Sequence, residues 1–492
     1  MAEGEQEAMA TTTIDGSFGE GGGQILRNAC TYAAILRMNV RITNIRAGRK
    51  IPGLRPQHLV GLRLLAAVSG GCLAEGSHVG STEILFVSDS SNNNNSNNIL
   101  PASKNRDTIT NSVGRKGDNP CGEEKREYVG DTQTAGSVCL LMQTVLPFAL
   151  FRGTDANKAK DGGNDDDEDD ELLRFVLKGG TDADFAPSLD YYRYVFLPML
   201  RNYSCLEGCK FDAKHGFEEW KHAIDLSLIR RGFYPRGGGE VRVAIHRLSS
   251  KTFPLPPIRL TERGAVVGIT IRAIAAGNCP PSMAQTLSGT VQKLIASNPR
   301  YKTVPITIDI SGDSKPSFST DKTTNDQGER RKKRRGTPSS GCGVLITAET
   351  DKGCLLGGSS IGSPNIPLYE TAKMAAKEIV EAMDGGGCVD DYLQDQLIFY
   401  MALAGGVSEI VTNSLTLHAQ TAIWLASKML PSARFEVTKL GTAEDDAQIR
   451  GRIDGIEPAP LGANYNNGST SEKDQGRQRI RCYGISFRPS SD

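Results

Sequence analysis

One histidine stands where a helix begins. In "VTNSLTLHAQTAIW", His418 follows the strand-like run "SEIVTN" and precedes Ala422, Ile423 and Leu425 at helical spacing. Ser414 or Thr416 can cap that helix, which puts His418 in its first turn. The positive end of the helix dipole disfavours added positive charge on the ring and attracts anions such as phosphate. A neutral imidazole beside a bound phosphate can act as a nucleophile. A packed structural histidine is the alternative, and the local sequence leaves it open.

Three other clusters carry polar chemistry. "NIRAGRKIPGLRPQHL" places Arg46, Arg49, Lys50 and Arg55 within ten residues, followed by Gln57 and His58. Guanidinium forks match phosphate oxygens bidentately, although a surface ion-pair network would use the same residues. "DYLQDQL" sets Tyr392, Asp395 and Gln396 on one helical face at i, i+3 and i+4, a group able to grip a ribose, a base or a metal ion. "GEGGGQ" and "RGGGE" are triple glycines whose amides can approach a phosphate, or which simply turn the chain. The first fails the GxGxxG fingerprint at Gln24, and no GxxxxGK[ST] loop exists.

The elements that must position these residues alternate. "NVRITNIRAG", "EILFVS", "LRFVLKGG" and "GAVVGITIRAIAAG" read as strands. "QHLVGLRLLAAVSGG", "AGSVCLLMQTVLPFALF", "SLDYYRYVFLPMLRNY", "MAQTLSGTVQKLIAS", "LYETAKMAAKEIVEAM" and "VDDYLQDQLIFYMALAGG" read as helices. The chain is therefore α/β or α+β. "GSFGEGGGQILR" and "RGFYPRGGGEVRV" share an aromatic shortly before three glycines and read as a weak internal repeat.

Length, 492 residues, implies about three units. The 57 basic residues balance 57 acidic ones, so nucleic-acid contact must use a local patch. The 11 cysteines contain no CxxC, and Cys205 with Cys209 lacks a second pair for zinc, as expected of inert thiols in a reducing compartment. "MAEGEQEAMATTT" has no apolar core for a signal peptide, and the longest apolar run is too short to span a bilayer. A soluble intracellular protein without membrane association is expected. Three polar segments, at about 89–126, 154–171 and 312–340, read as surface insertions. The last contains Arg330 to Arg335, a basic run that reads as a nuclear-import signal, a phosphate patch or a solvated loop.

"GEGGGQILRNA", "IRAGRKIPGLRPQHL", "AGSVCLLMQTVLPFALF", "GGTDADFAPSLDY", "RGFYPRGGGEV", "YLQDQL" and "LHAQTAIW" resemble successive blocks of the RNA 3′-terminal phosphate cyclase family, in that family's order. The resemblance runs from about Ile14 to the C-terminus. It implies an α/β (α+β) fold of three repeated βαβαββ units like the C-terminal domain of a translation initiation factor. A smaller α/β domain is expected at 261–387, the large domain at 14–260 and 388–492, and a flexible N-terminus at 1–13.

The resemblance also implies chemistry. His418 would attack the ATP α-phosphorus to give a histidyl-AMP. AMP would pass to an RNA 3′-terminal phosphate, and the vicinal 2′-hydroxyl would close a 2′,3′-cyclic phosphodiester, as in a ligase-class nucleotidyl-transferring enzyme. The implied ATP contacts are Gln143, Pro187, Tyr392, Asp395, Gln396 and His418. Glu20 resembles the family's acidic group near the metal, Mg²⁺ or Mn²⁺. Arg27, Arg46, Arg49, Gln57 and His58 resemble its phosphate- and RNA-end-binding set. Pro56 stands where some relatives carry Arg or Lys, and Arg55 can substitute. The expected compartment is the nucleus (nucleoplasm), with the cytoplasm as a second. The alternative is the family's non-catalytic cyclase-like branch, an RNA-binding protein of ribosomal RNA processing that lacks the nucleophile.

Overall fold

In a computed structural model, residues 11–88, 127–153, 172–203, 224–248, 253–312, 339–440 and 476–489 are described, with the backbone of short strands at 111–112 and 451–452. The three polar segments lie almost wholly outside the described residues, as do the N-terminal ten and Arg330 to Arg335.

The first unit is β1 (Thr11–Asp15), α1 (Gly23–Leu36), β2 (Asn39–Thr43), α2 (Pro56–Ser69), β3 (Cys72–Glu75) and β4 (Ile84–Val87). Its sheet runs β1-β2-β4-β3, with β1 and β2 parallel and the other pairs antiparallel. The second comprises β5 (Asn111–Ser112), β6 (Glu127–Asp131), α3 (Val138–Phe151), β7 (Leu172–Gly179), α4, β8 (Ile224–Arg230) and β9 (Gly239–His246). Helix α4 runs through Leu189–Tyr191, a π-helical stretch Tyr192–Phe196 and Leu197–Tyr203. This sheet runs β5-β6-β7-β9-β8, repeating the first order with one short strand added.

A third unit opens with β10 (Arg259–Leu260) and is at once interrupted. The interruption is β11 (Val266–Ala276), α5 (Pro281–Ala296), β12 (Ile306–Gly312), β13 (Gly341–Thr350), β14 (Leu355–Ile361) and α6 (Leu368–Gly385), a sheet of order β12-β11-β13-β14. The unit then resumes with α7 (Asp391–Leu403), β15 (Val407–Thr412), α8 (Leu417–Met429), β16 (Arg434–Lys439), β17 (Gly451–Arg452) and β18 (Gln478–Tyr483), ordered β10-β15-β18-β16-β17. The repeated units are thus visible in strand order, and the chain is α/β.

The glycine repeat read from sequence is not part of that repetition. The first triple glycine joins β1 to α1, whereas the second lies between β8 and β9, a different position in its unit. Both mark close approaches, to the Ser17 carbonyl and the Glu20 and His58 side chains in the first and to the Thr134 and Gly179 carbonyls in the second, which is why they look alike.

The units share one core because their helices are apolar on the faces that meet. α3 is buried over most of its circumference, as expected of a helix apolar all round. Leu141 and Val145 of α3 join Ile25 and Ala29 of α1, Leu397 and Met401 of α7, and Ala422 and Ala426 of α8 in a single cluster. Tyr32 stacks on Phe399 with ring centroids 4.0 Å apart, tying the first unit to the third. The β11–β14 sheet instead packs Ile269, Ile271 and Ile346 against Leu287, Val291 and Ile379 of its own two helices.

Candidate active site

The site lies beyond the carboxyl ends of the parallel strands, where α1, α2 and α8 begin, the usual place for ligands in open α/β sheets. Thr416 caps α8, its hydroxyl accepting from the Ala419 amide at 3.1 Å, so His418 is the second residue of the helix. Its side chain is 52% exposed, which leaves the ring open to a ligand.

The glycine loop is pressed onto α8. Gly19 and Gly21 have φ of +59° and +57°, and a Cβ on Gly19 would lie 2.4 Å from Thr421 Oγ1. The Glu20 amide donates to that hydroxyl at 3.4 Å, and the Phe18 ring stacks on Trp424 at 3.9 Å and 10°. Glu20 is thereby held over the helix terminus. Its Oε2 lies 3.1 Å from His418 Nδ1, and its Oε1 pairs with the Arg49 guanidinium.

Beneath this group α1, α3 and α7 form a narrow polar slot. Gln24 Nε2 donates to Asp395 Oδ2 at 2.7 Å, Gln143 Nε2 to Gln396 Oε1 at 3.1 Å, and Gln396 Nε2 to the Tyr392 carbonyl at 2.6 Å. Burial pushes the Asp395 carboxyl up to about 6, against the opposing pull of His418 and Arg27. Arg27 is itself pushed down by burial, while Glu20 and Asp395 hold it up. Its Nε and Gln24 Oε1 are buried without a hydrogen-bond partner among the described residues, two polar atoms that a polar ligand would satisfy.

The cationic loop divides its labour. Arg46, at φ +54°, spends Nη1 on the Ile51 and Gly53 carbonyls at 2.9 and 3.1 Å. Gln57 accepts from the Ser137 amide of the second unit at 3.2 Å. His58 is buried, and its Nδ1 accepts from the Arg55 amide at 3.2 Å. Burial, then the charges of Arg27, Arg46 and Arg55, push its pKa down to about 3.

Tyr392 meets the edge of Tyr191 with centroids 5.5 Å apart. Tyr191 donates to Asp390 at 2.6 Å, and Asp390 caps α7 by accepting from the Tyr392 and Leu393 amides at 3.0 and 2.9 Å. Pro187 is buried just before Ser188, the cap of α4.

The twelve residues named from sequence therefore divide. Glu20, Arg49, His418, Arg27 and Asp395 form one charged group, with Gln143, Gln396 and Tyr392 joined to it through α7. Arg46, Gln57 and His58 lie beside it, each with one polar atom engaged by backbone, and Pro187 stands apart at the start of α4. Sequence reading missed Gln24, Thr421, Asp390 and the Phe18–Trp424 stack. Thr421 alone had a local signal, three residues beyond His418. Among the described residues no three His, Cys, Asp or Glu side chains converge as a metal cage, and the carboxylates of this group are Glu20 and the buried Asp395.

The RNA 3′-terminal phosphate cyclase family model matches residues 18–437, which takes in every residue of this group. The chain belongs to the RNA 3′-terminal phosphate cyclase family. It is 32% identical over 428 residues to a "Probable RNA 3′-terminal phosphate cyclase" of Dictyostelium discoideum, covering 87% of this chain and 78% of the relative. It is 30% identical over 437 residues to the RNA 3′-terminal phosphate cyclase of Desulfurococcus amylolyticus, covering 87% and 95%. The Drosophila melanogaster relative of the same name is 30% identical over 427 residues, covering 86% and 92%. An RNA-directed cyclase is thus the coarse identity of the chain.

Proposed function

We propose that this cyclase activates an RNA 3′-terminal phosphate with ATP and closes it to a 2′,3′-cyclic phosphodiester. The observation that carries the proposal is the Glu20–His418 pair. A carboxylate at Nδ1 selects the tautomer that donates from Nδ1, which leaves the Nε2 lone pair free to attack. Nε2 forms a bond to the ATP α-phosphorus, the Pα–O bond to pyrophosphate breaks, and the imidazolium stays paired with Glu20. An oxygen of the RNA 3′-phosphate then takes AMP from His418, and the vicinal 2′-hydroxyl displaces AMP to close the ring. Splitting one hard displacement into two easier ones is the gain from the covalent step.

Adenine and ribose would contact the α7 face of Tyr392, Asp395 and Gln396 and the Gln143 and Pro187 side of the second unit, with the 3.1 Å Gln143–Gln396 hydrogen bond parting to admit them. Arg27 and Arg49 hold the phosphates. Pairing with Glu20 also makes Arg49 part of the nucleophile's support, so it serves both the nucleotide and the RNA end. Arg46 and His58 shape the loop that receives that end. With its oxygens engaged by Arg49 and His418, Glu20 would offer Mg²⁺ or Mn²⁺ at most one shared oxygen, and the ion would be held chiefly by the nucleotide's own oxygens rather than an all-protein cage. A bound cation would supply charge neutralisation on the triphosphate. We assign the activity to RNA processing in the nucleus, with the cytoplasm as a second compartment.

Incubation with α-³²P-ATP should give acid-labile, protein-bound AMP. A 3′-phosphorylated RNA should discharge it and acquire a cyclic end. An RNA ending in a 2′-deoxy, 3′-phosphate nucleotide should accept AMP and stall, because the ring-closing nucleophile is missing. Absence of protein-bound AMP would leave the non-catalytic, RNA-binding reading.

A further inference from the structure

Two aromatic rings on the second unit stand in water on segments that are tied to each other at their bases. Phe185, between β7 and α4, is 94% exposed, and Tyr234, between β8 and β9, is 55% exposed. Phe185 has φ of +60°, a conformation that costs a bulky residue free energy and points to a constrained position.

The segments carrying the rings are stitched together. The Thr181 and Asp182 amides donate to the Gly232 carbonyl at 2.8 and 3.1 Å, and the Tyr234 amide donates back to the Asp182 carbonyl at 3.1 Å. Underneath, Arg231 pairs with Asp182 at 3.4 Å and with Asp190 at 3.0 Å, all three buried. β7 and β8 both run antiparallel to β9, so these segments leave the same end of the sheet. That end is continuous with the candidate site. Gly237 is packed so closely on the β6–α3 loop that a Cβ there would lie 2.4 Å from the Thr134 carbonyl oxygen. Ser137 of that loop donates to Gln57.

Water-exposed aromatic rings are what single-stranded nucleic acid uses as stacking surfaces, since every base has a π-face. Exposed Arg230 and Arg236 flank Tyr234, against one exposed carboxylate, Asp184, beside Phe185. We infer that Phe185 and Tyr234 form a stacking step for the bases of the RNA strand that precede its terminal nucleotide. The inference rests on the RNA-end reading of the Arg46–His58 segment. It gives the protein a preference for oligonucleotides over a lone nucleoside 3′-phosphate, without sequence selectivity.

The test uses the full chain, a fluorescein-labelled 3′-phosphorylated 12-mer RNA and anisotropy without ATP. Phe185→Asn tolerates the left-handed backbone, and Tyr234→Ala removes the second ring. Each should weaken binding by roughly 5- to 20-fold, the double variant more, and Phe185→Trp should restore it. Abasic ribonucleotides at the positions before the end should cause the same loss in the wild type and little further loss in the double variant. Self-labelling with α-³²P-ATP should not change in rate or in ATP requirement. Unchanged RNA affinity in the double variant overturns the stacking step. So does a raised ATP requirement, which would move Phe185 to the nucleotide subsite, or an altered sedimentation coefficient, which would make the rings a contact with a second copy of this chain. A wild type that never labels itself overturns the catalytic reading instead, and RNA binding alone then decides the step. A wild type that does not bind the 12-mer overturns both.

Discussion

His58 and His418 occupy corresponding places in two copies of one unit: each lies in the first turn of the second helix, His58 third in α2 and His418 second in α8. Their surroundings are opposite. His58 is 7% exposed, has its Nδ1 engaged by a backbone amide and faces three arginines. His418 has an open ring with a carboxylate at Nδ1. A helix N-terminus therefore does not make a nucleophile. On the proposed reading the carboxylate that turns one nitrogen outward does, and in the first unit a backbone N–H takes that place.

The comparison can be broken most severely at His418. His418→Ala or His418→Asn should remove protein-bound AMP and all cyclisation, a loss of at least about 10⁴-fold, with melting unchanged because the ring is half exposed. Residual labelling in both variants would move the nucleophile elsewhere. His58→Asn should retain labelling, and its abolition there would erase the distinction between the two rings.

Glu20→Gln comes next. The amide can donate to Nδ1 instead of accepting from it and so favours the wrong tautomer, a fault worth up to about 10⁴-fold in a histidine–carboxylate pair. We expect a loss of about 10²- to 10³-fold in self-labelling with the ATP requirement less affected. Full activity would show that the pair is incidental.

The arginines sharpen the contrast further. Arg49→Ala should slow self-labelling and use of the RNA end together, because Arg49 touches the carboxylate that orients His418. Arg46→Ala, which frees two loop carbonyls, should act mainly on the RNA end, about 10-fold on KM for 3′-phosphorylated RNA, through a loosened loop. Equal effects of the two variants on self-labelling would contradict this division.

The smallest effect is on stability. The His58 pKa falls from 6.5 to about 3 on folding, so the unfolded chain takes up a proton below pH 6.5 that the folded one refuses. His58 thus makes stability fall as pH drops from 6.5 towards 3, by at most a few kcal/mol at about 1.4 kcal/mol per unit. His58→Gln should flatten that part of the urea-midpoint profile relative to wild type. A profile parallel to wild type would mean that His58 is solvated and protonates normally.

Much of this was legible in the chain. Helix caps, β-branched runs and the "LHAQTA" and "YLQDQL" blocks announce α7, α8 and the residues they present, because those signals are local. Partners were not legible. Glu20 and Thr421 are 401 residues apart and Gln24 and Asp395 are 371 apart, and no spacing rule reaches that far. Arg46 reads from sequence as a phosphate ligand and is found bracing its own loop, since composition cannot show where a guanidinium finds carbonyls. The glycine repeat misled because glycine serves turns and close approaches of several kinds, not a particular rung of a repeated unit.

The interruption of the third unit after β10 has a consequence for synthesis. A ribosome makes the first two units and the whole inserted sheet before α7 and α8 exist. Glu20 then waits through most of translation for its histidine, and the central core lacks one of its three walls until the final fifth of the chain emerges. Long-range closure of this kind is slow and leaves apolar helix faces uncovered meanwhile. An arrested or truncated nascent chain would therefore carry exposed core and no His418, so the proposed self-labelling would appear only in molecules whose assembly has run to its end.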